Sequence, residues 1–354
     1  MASKPTILIT GVSGRVGTCL LEQLKDSQVI GVDIREPANP EELFRFEKID
    51  LTEERSCDQL LDLLRAYRPE VVVHLAFVVD PLTAGMSDAK SMWQVNVFGT
   101  SRVIEAIAEH NRMAGGVEKF VFTSSAAVYG PAPVLQPVTE DAPLQARSLV
   151  YAEQQQEADR TVQARAGGLG KCKTYVLRSH IYGGAGARNY ELAALRGVPG
   201  GRGRWAERLR RRGVRLPLLL PSRGNYLDHK FQFVHADDVA RLIAHIAGRR
   251  ETDLPLTVLN VAGRGDPLSL RRCVEIAAIP VKRLPGKNLC RLAMGLLWDW
   301  GVSDIPPAAL PYLLGSCVLE TTRLRVFLGE HYRSVIQHTC DEALVEGLKT
   351  PENR

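Results

Sequence analysis

Lys4-Pro-Thr-Ile-Leu-Ile-Thr-Gly-Val-Ser-Gly-Arg-Val-Gly17 decides the fold. An apolar strand, Ile7 to Ile9, runs into glycines 11, 14 and 17. A helical pattern follows at once through Val16, Leu20, Leu21 and Leu24. Each glycine has its own task. Gly11 permits the tight turn out of the strand, Gly14 lets the backbone approach a pyrophosphate, and Gly17 lets the helix pack close to the sheet. The unpaired N–H groups and positive dipole end of the helix then suit phosphate. Val29 to Ile34 reads as a second strand ending at Asp33, about 20 residues past the loop, where a carboxylate can bind the adenosine ribose hydroxyls. That charge repels a 2′-phosphate and favours NAD over NADP. Arg35, two residues on, softens the preference and keeps NADP open.

Outward from this stretch, strand and helix patterns alternate. Helices are expected over Glu53 to Tyr67, Asn96 to Met113 and Tyr151 to Ala166, with strands at Val71 to Leu75, Val117 to Ser124 and Thr174 to Leu177. Such alternation gives an α/β fold with a doubly wound parallel sheet, and ligands lie outside the carboxyl ends of its strands. From Gly183 the pattern changes, and glycine, proline and arginine dominate to residue 225. Phe231 to Val234 is expected as a short strand, a helix starts at Asp237-Asp238, and 256–261 is a further apolar segment. We therefore expect a nucleotide-binding domain over residues 1–182, with segments around 226–262 returning to it. Residues 183–354 mainly form a smaller C-terminal substrate-binding lobe.

The 354 residues are 45% apolar and 24% charged, ordinary values for a globular chain with room for two lobes. Seven cysteines without a C-x-x-C pair read as reduced thiols, neither a disulfide frame nor a zinc site, and no metal is expected. No apolar run is long enough to span a membrane. With the first strand starting by Thr6, no secretory leader is expected, and the location expected is cytoplasmic. Net charge is +5, concentrated in residues 202–215, which hold seven arginines against one glutamate, with Trp205 among them. A solvated helix explains that run better than a nucleic-acid site, so no nucleic-acid partner is expected.

The strand ends carry Asp50-Leu51, His74-Leu-Ala76, Asn96-Val-Phe-Gly-Thr100, Thr123-Ser-Ser-Ala-Ala-Val-Tyr-Gly130, Tyr151 and Leu177-Arg178. In this order they resemble the extended short-chain dehydrogenase/reductase family, which includes NAD-dependent sugar epimerases, dehydratases and hydroxysteroid dehydrogenases. The resemblance covers roughly residues 5–245 and implies a Rossmann domain. It implies that Gly11, Gly14, Arg15, Val16 and Gly17 meet the pyrophosphate. Asp33, with Ile34 and Arg35, would face the adenosine ribose, and Asp50 with Leu51 the adenine. Leu75, Ala76 and Phe77 would line the path to the nicotinamide ribose, with Asn96 and Thr123 beside the site and His180 and Ile181 at the nicotinamide. Ser125 matches the catalytic serine or threonine, and Tyr151 the catalytic tyrosine. His74 is read as structural. The chemistry needs these types. Negative charge that builds on a carbonyl oxygen during hydride transfer takes a proton from tyrosine and a hydrogen bond from serine.

One departure matters. The family pattern is Tyr-x-x-x-Lys, and here Gln155 takes the lysine position. Glutamine can hydrogen-bond the nicotinamide ribose, as lysine does, but cannot favour tyrosinate by charge. Three explanations stay open: a less acidic tyrosine, chemistry that needs no tyrosinate, or a disabled relative. Phe231 stands where many sugar-nucleotide members carry arginine. The C-terminal lobe is apolar through Leu292, Met294, Leu296, Leu297, Trp298, Trp300, Leu313 and Leu314, either as core or as a pocket for an apolar substrate. The function expected first is an NAD(P)-dependent oxidoreductase acting on a ketone or secondary alcohol of a hydrophobic metabolite. The alternatives are a sugar-nucleotide epimerase or dehydratase and an impaired NAD-binding regulator or scaffold. A homodimer through the helices at 96–113 and 151–166 is the family expectation.

Overall fold

The computed structural model describes residues 4–79, 89–113, 115–131, 137–250 and 254–349. Its centre is a parallel sheet of seven strands. They are β1 (Thr6–Thr10), β2 (Gln28–Asp33), β3 (Arg45–Lys48), β4 (Val71–His74), β5 (Lys119–Ser125), β6 (Lys173–Ser179) and β7 (Leu256–Val261). Their spatial order is β3-β2-β1-β4-β5-β6-β7, which reverses between β1 and β4. That reversal opens the crevice where ligands bind in doubly wound sheets. β4 is buried at all four residues, as a parallel strand covered on both faces must be. One layer holds α1 (Arg15–Gln23) and the helix Ala236–Gly248, with Leu20, Val239 and Ile243 in its core. The other holds α2 (Ser56–Tyr67), α3 (Thr100–Met113) and α4 (Val150–Arg165), around Leu60, Ile104 and Val162.

The glycine spacing has a steric basis. Gly11 has φ +76°, and a Cβ on it would lie 2.5 Å from the Ala76 nitrogen; one on Gly17 would lie 2.3 Å from the Val12 carbonyl oxygen. Some expected boundaries move for local reasons. α2 starts at Ser56, not Glu53. Asp50 first closes a turn, accepting from Thr52 N–H at 2.8 Å with its side chain and from Glu53 N–H at 3.1 Å with its carbonyl. The segment expected as one strand at Phe231 to Val234 is two. Lys230–Phe231 pairs antiparallel with Leu268–Ser269, and Phe233–His235 pairs parallel with Ile181–Gly183. Between them Gln232 turns inward, its amide oxygen accepting from Leu319 N–H at 2.7 Å. Neither piece joins the central sheet, whereas residues 256–261 form its last strand.

The second lobe has its own core, including Leu192, Leu220, Phe233, Cys290 and Leu344. Its helices include α5 (Arg204–Arg211), α6 (Gly286–Asp299) and α7 (Cys340–Leu348). Of the apolar residues noted there, Met294 and Leu314 are buried, and Leu297 and Leu313 partly so. Leu292, Leu296 and Trp300 face outward. No described helix is long and apolar enough to cross a membrane.

Candidate active site

The sheet's carboxyl edge carries two adjoining clefts. The first, about 290 Å³, is walled by Gly11, Ser13, Gly14, Asp33, Ile34, Arg35, Asp50, Leu51, Leu75, Ala76 and Phe77. Asp33 ends β2, and backbone donors fix its carboxylate: Ser13 N–H at 3.0 Å, Ile34 N–H at 2.7 Å and Arg35 N–H at 3.2 Å. The carboxylate is thus held rigid at the cleft mouth. Gly14 precedes α1 with extended backbone, and a Cβ there would meet only the Gly11 carbonyl, at 3.2 Å. The first-turn N–H groups of a helix lack intrahelical partners, so those of Arg15, Val16 and Gly17 suit a pyrophosphate. The Arg15 side chain reaches across to Asp237 at 3.5 Å, linking the loop to the helix Ala236–Gly248.

The second cleft, about 150 Å³, holds Ser125, Tyr151, His180 and Ile181. Ser125 ends β5, and its Oγ accepts from Ala127 N–H at 3.2 Å, which turns the chain into a short helix. Tyr151 and Ser125 line the same cleft. Tyr151 stands edge-on to Phe77, with centroids 5.8 Å apart at 85°. Burial raises the pKa of the Tyr151 hydroxyl well above the ordinary phenol range, and the nearby Ser125 side chain partly offsets this. His180 is fixed as one neutral tautomer. Its Nδ1 accepts from Ile181 N–H at 2.9 Å, and its Nε2–H donates to the Cys317 carbonyl at 2.8 Å. Burial lowers its pKa to about 4.

Three expected site residues stand behind these walls. Asn96 is fully buried in the π-helical turn Gln94–Gly99. It clamps Val78, accepting from its N–H at 2.7 Å and donating to its carbonyl at 2.9 Å, and donates to Gln154 at 2.8 Å. Gln155, 2% exposed, donates to the Thr123 carbonyl at 3.2 Å, and Thr123 Oγ1 donates to the His74 carbonyl at 3.3 Å. His74 lies between Thr10 at 2.6 Å and Thr100 at 3.0 Å, and burial lowers its pKa to about 3.

The sequence reading did not include Tyr182, Arg188, Glu191, Tyr312, Ser316 or Cys317 in the site, although all line the second cleft. Only Asn189 left a local signal, as the N-cap of helix Tyr190–Arg196, accepting from Leu192 N–H at 2.8 Å. Among the described residues, one group, His235, His338 and Glu346, gathers ligand-type atoms within 4.8 Å of one another. No local spacing announces it, and three of its four ring nitrogens are engaged. His235 meets Asp237 N–H at 3.2 Å and Glu346 at 3.1 Å, and His338 Nδ1 meets Asp238 at 2.9 Å.

A glycine cradle and a pinned acid at the sheet's switch point fit an NAD-binding α/β protein. Residues 7–262 match the model of the NAD dependent epimerase/dehydratase family, to which the chain belongs. It is 35% identical over 144 residues to the UDP-glucose 4-epimerase of Mycolicibacterium smegmatis, covering 39% of this chain and 44% of that protein. It is 30% identical over 246 residues to the uncharacterised y4nG protein of Sinorhizobium fredii, covering 66% and 51%. The chain thus spans about half the length of these relatives. Its fold resembles that of Thermus thermophilus UDP-glucose 4-epimerase in complex with NAD (TM-score 0.65, 20% identity, 97% of each chain). It also resembles MoeE5 in complex with UDP-glucose and NAD (TM-score 0.63, 22% identity, 97% of each chain). The family's cofactor is NAD, and the first cleft fits it. Asp33→Asn is expected to weaken NAD binding about tenfold or more, the usual loss for hydrogen bonds to a charged group. Fluorescence titration of the cofactor-free protein checks this.

Proposed function

We propose that this protein is an NAD-dependent oxidoreductase acting on a ketone or secondary alcohol of a hydrophobic metabolite. The observation that carries this reading is the wall of the second cleft. Val79, Leu149, Ile181, Phe231 and Tyr312 surround the Tyr151–Ser125 pair, and Arg188 is the one cationic side chain among the described lining residues. Glu191 adds an acid whose pKa burial raises. Such a wall suits an apolar body better than a diphosphate, whose charges would meet Glu191 without a buried cation. NAD, when bound, supplies or accepts the hydride. Tyr151 holds the proton for the substrate oxygen, Ser125 hydrogen-bonds that oxygen, and neutral His180 keeps the wall in place. Net absorbance change at 340 nm with apolar ketones is the expected result.

The epimerase reading is favoured by the identity to UDP-glucose 4-epimerases. UDP-glucose converted to UDP-galactose without net change at 340 nm would replace the first proposal. NAD binding without turnover on either substrate class, with activity appearing only in Gln155→Lys, would make the parent a binder. We also propose a homodimer through α3 and α4, where Met113 and Val150 stand exposed.

The sign of the Tyr151 shift sets the pH dependence. A raised pKa keeps its proton on at neutral pH, so reduction is served directly. Oxidation needs tyrosinate and is expected to speed up as pH rises. If the ammonium of Gln155→Lys swings to within about 4 Å of the Tyr151 hydroxyl, its charge is worth on the order of 4 kcal/mol there, so the oxidative profile is expected to move down by about 3 pH units. Paired pH–rate profiles check this. Superimposable profiles would remove charge at position 155 as the controlling factor.

A further inference from the structure

α6 is apolar on two sides. Cys290 and Met294 anchor it inward. Leu289, Leu292 and Leu296, with Trp300 just past its end, form an outward stripe 39%, 58%, 44% and 62% exposed. A helix apolar on both sides calls for a second apolar neighbour. The end of α6 joins the start of α5, where Gly203 N–H donates to the Gly301 carbonyl at 2.8 Å and Gly201 N–H to Val302 at 3.0 Å. Trp205, 58% exposed, lies on α5 under Arg208, whose guanidinium carbon is 5.6 Å from the ring centroid. Arg204, Arg211, Arg212, Lys287 and Arg291 are exposed on the same two segments, against the acids Glu207 and Asp299.

We propose that this face docks on an anionic lipid bilayer. Leucines and tryptophans enter the headgroup boundary, and the arginines meet lipid phosphates, the pattern of helices that lie on membranes. A second copy fits less well. A two-fold contact sets a patch against itself, and here that would oppose the arginines. A nucleic acid would leave the leucines without a role. The interior supports the assignment. An apolar slot behind α6, walled by Val198, Met294 and Leu297, shares Ala194, Leu218 and Leu313 with a deeper pocket. That pocket in turn shares Ile181, Phe231 and the acid Glu191 with the Tyr151 cleft. Mainly apolar walls thus follow one another from the lipid-facing helix to the Tyr151 cleft. Docking itself does not depend on the substrate class proposed above.

Vesicle flotation of the full chain tests this, with phosphatidylcholine alone and with about 30% phosphatidylglycerol added. The protein is expected to float only with the anionic vesicles, and less at about 0.5 M salt than at 0.1 M. Arg208→Glu/Arg212→Glu is expected to weaken binding about tenfold or more. Leu292→Gln/Leu296→Gln is expected to weaken it comparably, with NAD binding intact in both variants as the sign of a folded chain. Equal behaviour with neutral vesicles, or double variants that float like the parent, would overturn the assignment. So would self-association that Leu292→Gln/Leu296→Gln abolishes, since the face would then belong to a second copy.

Discussion

Tyr151→Phe is expected to slow turnover by about 10²- to 10⁴-fold, the range spanned by a positioned general acid or base. The substitution removes one oxygen and keeps the ring. The edge contact with Phe77 survives, and the first cleft is untouched. NAD affinity should therefore hold within about threefold, well below the loss from one deleted charged hydrogen bond. Steady-state rates beside a cofactor titration separate the two readouts. Tyr151→Phe/Ser125→Ala should cost less than the two single losses summed, because both hydroxyls act on the same oxygen. A Tyr151→Phe protein that keeps a large share of its activity would remove Tyr151 from the chemistry.

Asp159→Ala is expected to destabilise the fold by about 3–5 kcal/mol, the usual result of stripping one partner from a buried ion pair. Asp159 and Arg178 are 0% and 2% exposed and paired in bidentate fashion, Nε and Nη2 each donating at 3.0 Å. Arg178 also donates to the Tyr129 hydroxyl at 2.9 Å and the Glu140 carbonyl at 2.8 Å, and Ser124 donates to Asp159 at 2.5 Å. The network ties β5, β6, α4 and the segment around Glu140 together just beneath Ser125. Thermal unfolding should shift down by about 10 °C, taking about 2–4 °C per kcal/mol for chains of this size class. Asp159→Leu/Arg178→Met should recover part of the loss, since no lone charge is then buried. A double variant no better than Asp159→Ala would mean that the other hydrogen bonds, not the charges, dominate.

The cofactor cleft was legible because its determinants are local. Three glycines, one strand and one carboxylate at the right distance fix it, and Gly11, Gly14 and Asp33 do share one wall. Order along the chain also marked Ser125 and Tyr151, which the fold brings into one cleft. β3 escaped notice because Arg45–Lys48 is a short, charged edge strand with no apolar alternation to read. The far wall of the second cleft escaped for another reason. Tyr312 and Cys317 reach Ala127 and His180 across more than a hundred residues, and no pattern in their own neighbourhood announces that. Gln155 was assigned to the cofactor because it takes the lysine position of the Tyr-x-x-x-Lys pattern that the family resemblance implies. Its amide donates to the Thr123 carbonyl, a partner set by tertiary packing.

The link from His180 to the Cys317 carbonyl orders events in time. The first cleft draws on residues between Gly11 and Val95, whereas the second waits for Tyr312 to Cys317. A ribosome delivers the chain amino end first, at about 5–20 residues per second. The growing polypeptide therefore presents its nucleotide cradle before its reaction chamber has a far wall. Once that cradle folds, NAD stabilises it by mass action while synthesis continues. The dinucleotide would then serve as a ligand of the nascent protein before it serves the finished one.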